Sequence, residues 1–180
     1  MLFTGSIDPP AGILSTTRRG GSPDPPANIT ETPPKRERIR LQRELYSDNS
    51  RAFSITICTA RKRPVFSNHE LADSVWKHIV RYFEENTTLH AACLMPDHVH
   101  LLVSPVEKNL IDLIGSWKSY TARLMREKGI EMPLWQRSFY DHAVRTNEDL
   151  NAAARYILGN PVRKGLCSDY RDYPFCYPRR

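Results

Sequence analysis

The feature that most constrains the fold of this chain is an ordered change of hydrophobic period. From residue 52 onward, apolar side chains recur first at every second position, then at helical spacing, and the two patterns alternate along the chain. The predicted elements are a strand at 52–59, a helix capped by Asn68 and ending near Asn86, strands at 88–94 and 98–104 joined by a tight turn at 96–97, a helix capped by Asn109, a strand at 138–145, and a helix opened by Asn147.

This order of elements predicts an α+β fold of the ferredoxin-like split βαβ type. Strand, helix, strand, strand, helix, strand is the order of that arrangement, in which an antiparallel sheet carries helices on one face. A further helix follows residue 147, and its apolar stripe is expected to pack on the sheet; the stripe consists of Leu150, Ala153, Ala154 and Ile157. The fold alone names no function, because many chemistries share it.

The N-terminal part of the chain has a different composition. Residues 1–34 contain seven of the fourteen prolines and four of the eight glycines, with few large apolar side chains. Such a segment cannot bury enough surface to offset its ordering entropy. We therefore expect residues 1–45 to be a disordered leader that ends in a short helix-prone piece, and residues 46–180 to form the folded domain.

Composition also limits the class of protein. The chain has no apolar run near the roughly 18 residues of a membrane span and no secretory leader, so a cytoplasmic location is expected. The four cysteines form no C-x-x-C pair, which argues against a zinc ribbon or a redox dithiol. The net charge of +6, from 26 basic and 20 acidic residues, is a weak indication of a nucleic-acid partner.

Two histidines are the first candidate site. In the run MPDHVHLLV, residues 95–103, the strand period places His98 and His100 on one face and aliphatic side chains on the other. A strand this apolar is expected to be central in the sheet, where histidines without a partner would lose hydration at a cost. We therefore favour a metal-binding or catalytic role. A histidine-triad nucleotide hydrolase is excluded, because Leu102 stands where its third histidine belongs.

Three motifs together give this sequence a family resemblance. The run MPDHVHLLV is followed about fifty residues later by LWQRSFYDHAVR and then by RYILGNPVRKGL. In this order they resemble the HUH single-tyrosine transposases, and specifically their REP-associated branch, over roughly residues 50–175. The resemblance implies that His98 and His100 are metal ligands, that Tyr156 is the nucleophile, and that Asn160 is a third, amide-type ligand.

The same resemblance implies a mechanism and a substrate. A divalent ion, Mg²⁺ or Mn²⁺, would neutralise the scissile phosphate, and Tyr156 would form a 5′-phosphotyrosine linkage while freeing a 3′-hydroxyl. The implied substrate is a short palindromic hairpin of REP type, cut as single-stranded DNA, and the implied state is a monomer. Tyr120, the rival nucleophile, is assigned to packing on the second helix, and His142 receives no derived role.

Binding of single-stranded DNA requires cations for phosphates and flat side chains for bases. Trp135 and the aromatic residues of the C-terminal tail are flat candidates, of which the tail residues are expected to pack, and Arg179 and Arg180 to meet solvent or DNA. The cationic candidates are Arg61, Lys62, Arg63, Lys118, Arg123, Arg137, Arg163 and Lys164.

Two other functions stay open from the sequence alone. One is a non-catalytic DNA-binding repressor that keeps the fold while the histidines and Tyr156 are idle. The other is a zinc-dependent hydrolase that uses His98 and His100 without a covalent intermediate. Covalent capture of DNA separates the transposase from both, and dependence on Tyr156 separates it from the hydrolase.

Overall fold

The structure, a computed structural model, describes residues 42–144 and 147–178, with the side chains of residues 147 and 148 left out. The strands are β1 (Ala52–Cys58), β2 (Thr87–Met95), β3 (His98–Pro105), β4 (Tyr140–Val144) and β5 (Cys176–Tyr177). The helices are α1 (His69–Asn86), α2 (Leu110–Glu127), α3 (Asn147–Leu158) and α4 (Asn160–Arg163). The predicted leader lies outside the described residues, apart from a short 3₁₀ turn at Arg43–Ser47.

The sheet confirms the predicted fold class. Its strand order is β4-β1-β3-β2-β5, and every pair is antiparallel, with β3 in the centre as its apolar sequence indicated. The first four strands have the order of the ferredoxin-like arrangement. Strand β5, which the sequence did not predict, extends the sheet by pairing Cys176 with Cys93 of β2.

Both predicted helix caps form. The Asn68 side chain accepts hydrogen bonds from the backbone N–H groups of Glu70 and Leu71, and the Asn109 side chain accepts one from Ile111. These bonds satisfy donors that the first turn of a helix leaves without a partner. The helices therefore begin where the sequence predicts, at residues 69 and 110.

The sheet separates two apolar clusters of unequal size. On one face, α1 and α2 pack on the inward side chains of the strands, among them Phe53, Ile55, Leu101 and the fully buried Trp117 of α2. On the other face, the smaller α3 packs on Ala91, Cys93, Leu102 and Val144 through Ile157 and its neighbours. The tyrosine-bearing helix thus lies on the sheet face opposite to α1 and α2, which is also the face of His98 and His100.

Two details of α2 and β4 differ from the prediction. Tyr120, assigned to packing on α2, is 41% exposed and lies outside the buried core. The Tyr120 ring instead stacks on His78 of α1, with centroids 4.0 Å apart. Strand β4 is shorter than expected because residues 138 and 139 stay outside the ladder and residue 145 lies outside the described part.

The C-terminal tail packs as expected. The Tyr173 hydroxyl donates a hydrogen bond to the Leu94 carbonyl, and Phe175 is buried in the larger cluster. Arg179 and Arg180 lie outside the described residues. Of the helices described, none has the length and apolar character that crossing a bilayer requires.

Candidate functional site

The histidine pair forms the centre of the site. On β3, His98 and His100 project from the same sheet face, and their Nε2 atoms lie 3.0 Å apart with the two rings at 90°. Val99 and Leu101 point to the opposite face and are fully buried. The predicted alternation is therefore confirmed, and two imidazole nitrogens converge on one point.

The other ring nitrogen of each histidine has its own partner. The Nδ1 atom of His98 lies 2.6 Å from the Asp97 carboxylate, and Nδ1 of His100 lies 2.9 Å from the Thr56 hydroxyl. A carboxylate or hydroxyl on Nδ1 fixes the ring orientation and leaves Nε2 for a ligand. Sequence analysis missed both partners, although Asp97 directly precedes His98 and Thr56 is the register partner of His100 on β1.

Burial keeps the second imidazole neutral. Desolvation, with the neighbouring His98 and Arg163 as smaller causes, lowers the pKa of His100 to about 3. A neutral imidazole has a lone pair on one ring nitrogen, and the neutral form is the one that binds a metal ion. His100 is therefore neutral over the whole physiological pH range.

Tyr156 faces this pair from α3. Its ring centroid lies 6.5 Å from that of His100, and the side chain is 60% exposed. The apolar stripe of α3 packs on the sheet as predicted, with Ile157 fully buried. Because Tyr156 is next to Ile157 on the helix, its phenol lies at the edge of the packed surface, beside His100 and open to solvent.

Arg163 holds the end of the tyrosine helix. Its guanidinium lies 4.2 Å from the centre of the Tyr156 ring and donates hydrogen bonds to the Tyr156 carbonyl, at 2.6 Å, and to Asn160 Oδ1, at 2.8 Å. Asn160 is buried, and its Nδ2 donates to the carbonyls of Tyr156 and Ile157. These contacts restrain the Tyr156 ring and connect Tyr156 with Asn160.

Two of the predicted DNA-binding cations have structural partners instead. Arg63 donates to the carbonyls of Glu131 and Pro133, at 2.6 and 2.7 Å. Lys118 donates to the carbonyls of Gln136 and Arg137, at 2.6 and 3.1 Å. Both side chains therefore anchor the segment before β4. Trp135, expected as a flat surface for bases, is buried in the core and donates its indole N–H to Thr121.

The remaining cations divide by position. Lys62 and Lys164 line a cavity of about 310 Å³ together with His98, so the structure brings these two to the site. Arg123 belongs to α2, on the opposite side of the sheet, and lies 5.7 Å from the Tyr120 ring centre. Arg61 and Arg137 are exposed, in the segments after β1 and before β4. Of the eight predicted cations, the structure therefore places three at the site, which are Lys62 and Lys164 at the cavity and Arg163 beside Tyr156.

Two residues of β4 face the same side as the histidines. Tyr140 pairs with Thr56 and His142 with Ser54, and both are exposed. Tyr140 lines the same cavity as Lys62 and Lys164, with 61% of its surface accessible. Sequence analysis placed Tyr140 on a strand without a role.

The donor set fits a divalent metal ion. Across residues 42–144 and 147–178, no group of three His, Cys, Asp or Glu side chains is arranged to hold a metal ion. The Asn160 amide oxygen has two lone pairs, and Arg163 uses one of them. His98 and His100 supply two oriented imidazoles, and the amide oxygen belongs to Asn160, four residues after Tyr156 in the sequence. Such a donor set is consistent with a divalent ion.

Comparison with known proteins agrees with this geometry. The family model described as "Transposase IS200 like" matches residues 49–160. A protein of Haemophilus influenzae (strain Rd) named as a REP-associated tyrosine transposase is 31% identical over 114 residues, which is 57% of this chain and 64% of that protein. A REP-associated tyrosine transposase of Escherichia coli K12 is 28% identical over 87 residues, or 48% of this chain and 52% of that protein.

One solved structure is similar in fold. It is that of a REP-associated tyrosine transposase bound to a REP hairpin, with a TM-score of 0.63 and 20% identity over 78% of this chain and 83% of that one. At this identity the likeness establishes the fold. The chain spans between about half and two thirds of the length of the two sequence relatives, 52% and 64%.

Proposed function

Because this chain belongs to the family of IS200-like transposases, we propose that it nicks and rejoins single-stranded DNA through a covalent bond to Tyr156. The observation that supports this most directly is the placement of Tyr156. Its phenol is exposed, its ring lies 6.5 Å from that of His100, and Arg163 covers the ring from another side.

The proposed reaction is a transesterification. The Tyr156 hydroxyl oxygen attacks the phosphorus of a phosphodiester, the bond from phosphorus to O3′ breaks, and the phenol proton leaves as the 3′-hydroxyl gains one. The protein then holds the downstream strand by a 5′-phosphotyrosine bond. Attack by a 3′-hydroxyl reverses the step, so the strand is rejoined without an external energy source.

His98, His100 and the Asn160 amide oxygen would hold a divalent ion, Mg²⁺ or Mn²⁺. When bound, such an ion neutralises charge on a non-bridging phosphate oxygen and orients the phosphodiester. Asp97 and Thr56 keep both imidazoles turned so that their Nε2 atoms face the same point. Arg163 restrains the Tyr156 ring and the Asn160 amide together, so a change at either residue is transmitted to the other.

The proposed substrate is a REP-type hairpin with a single-stranded flank. A solved relative in fold is bound to a REP hairpin, and the two sequence relatives are named for the same association. Lys62 and Lys164, beside His98, supply positive charge for the phosphates of such a strand. We also propose that the protein acts as a monomer, because Tyr156 lies beside His100 of its own chain and needs no second subunit to complete the site.

The test is covalent capture of labelled DNA. The protein is incubated with Mn²⁺ and a hairpin oligonucleotide labelled at its 3′ or 5′ end, and the products are resolved on a denaturing protein gel. We expect an adduct that retains only the 3′ label, that Tyr156→Phe and His98→Ala abolish, and that Tyr120→Phe preserves. Tyr120 is the matched control because it is an exposed tyrosine on the opposite side of the sheet.

Each alternative gives a different pattern. Tight binding of hairpins without any adduct would favour the non-catalytic repressor. Cleavage without an adduct that persists in Tyr156→Phe would favour a metal-dependent hydrolase. An adduct that moves to another tyrosine, so that Tyr120→Phe loses it, would refute the assignment of the nucleophile.

A further inference from the structure

We propose that the cavity beside His98 is a subsite for one unpaired nucleotide of the DNA strand, whose base stacks on Tyr140 and whose phosphate is held by Lys62 and Lys164. This inference deepens the proposed function and rests on it for the identity of the polymer. The cavity has a volume of about 310 Å³. That is near the lower end of the roughly 300–1,000 Å³ typical of small-ligand sites, which suits a single nucleotide and is too small for a duplex end.

The ring of Tyr140 provides the stacking surface. It is 61% exposed, although its backbone is fixed in the sheet by pairing with Thr56 of β1. On its other side, Thr56 is the register partner of His100 on β3. Tyr140, Thr56 and His100 therefore form one row across the same sheet face. A base on Tyr140 would therefore lie one strand away from Thr56 and beside the histidine pair. Base–aromatic stacking is tolerant of sequence, since every base has a π-face.

The backbone that carries Lys62 is strained and firmly held. Arg61 and Lys62 have φ values of 57° and 53°, a left-handed conformation that residues other than glycine rarely adopt. Such strain persists only where surrounding contacts fix it, and it concentrates at functional sites. Because this conformation costs free energy and Lys62 lines the cavity, it favours a functional role for Lys62.

The contacts that hold this loop are present on both sides of it. The Thr59 hydroxyl contacts the Arg63 and Asp97 carbonyls, at 2.8 and 2.9 Å, and the Ala60 N–H donates to the Leu134 carbonyl, at 2.7 Å. The Arg63 guanidinium adds bonds to two further carbonyls of the segment before β4. Lys62 therefore projects from a rigid loop, so binding a phosphate there costs little ordering of the backbone.

Lys164 approaches the cavity from the nucleophile side. It follows α4 directly, and its backbone N–H donates to the Asn160 carbonyl at 3.0 Å. The cavity wall thus has two ammonium groups and one carboxylate, that of Asp97, which is engaged with His98 Nδ1. The net positive charge favours an anionic ligand, and an aromatic face next to it favours one that contains a base.

The experiment is a scan with 2-aminopurine, a fluorescent base whose emission is quenched on stacking. A hairpin oligonucleotide with 2-aminopurine at successive single-stranded positions is titrated with the protein, in chelator so that no cleavage occurs. We expect quenching that depends on Tyr140 at one position only. Tyr140→Ala removes this quench and weakens binding about 5- to 150-fold, the range expected for one lost stack. Tyr140→Phe retains both, and Tyr120→Ala is the matched control that changes neither.

Lysine variants test the phosphate contact in the same assay. Lys62→Ala and Lys164→Ala should each reduce the slope of log affinity against log salt by about 0.7, the value for one phosphate contact on a single strand. When the stacked position of the DNA is abasic, there is no base for Tyr140 to stack on. The affinity of Tyr140→Ala for this DNA should then equal that of the unchanged protein. That non-additivity is specific to a direct contact.

The outcomes separate this inference from the proposed function. If the quench survives Tyr140→Ala, or if the variant reduces quenching at every labelled position alike, the subsite is refuted, whatever the covalent assay gives. If the quench behaves as expected and no adduct forms, the subsite stands and the proposed catalysis falls. If no single-stranded oligonucleotide binds at all, both proposals are overturned.

Discussion

Arg63 and Lys62 are adjacent cations, and the structure predicts opposite effects for their loss. Arg63 makes hydrogen bonds of 2.6 and 2.7 Å to the Glu131 and Pro133 carbonyls and a 3.3 Å ion pair with the Glu131 carboxylate. A hydrogen bond to a charged group contributes about 1.5–3 kcal/mol, and an exposed ion pair about 0–1 kcal/mol. Because Glu131 and Pro133 are exposed, water can replace Arg63 in part.

We therefore expect Arg63→Ala to lower the free energy of unfolding by about 3 kcal/mol, the lower end of the summed range. Lys62→Ala should change it by less than about 0.5 kcal/mol, as for an ordinary surface substitution. The effects on DNA binding are reversed. Lys62→Ala should reduce the slope of log affinity against log salt by about 0.7, and Arg63→Ala should leave this slope unchanged under conditions in which the variant is folded.

Two measurements check this pair. Equilibrium unfolding in urea gives the stability of each variant from its midpoint at a common slope. Fluorescence anisotropy with a labelled hairpin, measured without urea at several salt concentrations, gives the slope of log affinity against log salt. If Arg63→Ala is as stable as the unchanged protein and also loses salt dependence, Arg63 is a DNA contact and the structural reasoning is wrong.

Two further predictions concern stability. Asn109→Ala should lower the free energy of unfolding by about 1–2 kcal/mol, which is more than the loss expected for Asn68→Ala. The reason is that Asn109 caps α2 and also donates to the Arg43 carbonyl and the Ser47 hydroxyl. Equal losses of stability for the two variants in urea unfolding would contradict this. In chelator, stability should fall as the pH drops from about 6.5 toward 3, because the unfolded chain protonates His100 there and the folded chain does not. His100→Asn should flatten that part of the profile, and an unchanged profile would show that His100 is not buried neutral.

The resemblance to REP-associated tyrosine transposases, based on three motifs, is confirmed by the comparisons, and so is the fold class. Local signals were sufficient for these, because strand alternation around His98 and the caps at Asn68 and Asn109 are set by neighbours in sequence. The partners of Arg63 lie 68 and 70 residues away, so no local pattern distinguishes it from Lys62.

Other features were out of reach for the same reason. Strand β5 has only two residues, Cys176 and Tyr177, which is too short for a period to be recognised. Tyr140 becomes a candidate only when the cavity that it shares with Lys164 is known. Trp135, expected as a surface for bases, is buried against Phe66 and Trp117 and bonded to Thr121, none of which is a neighbour in sequence.

The division of the apolar interior by the sheet has a consequence for how this protein loses function. Helix α3 is held by a cluster built largely from Ala, Cys and Val, whereas α1 and α2 share one with Phe, Ile and Trp side chains. Since burial of small side chains contributes less free energy, α3 belongs to the part of the molecule that opens first. Under mild stress Tyr156, the proposed nucleophile, can leave its place while the rest of the domain stays native, so we expect the proposed activity to be lost before the domain unfolds.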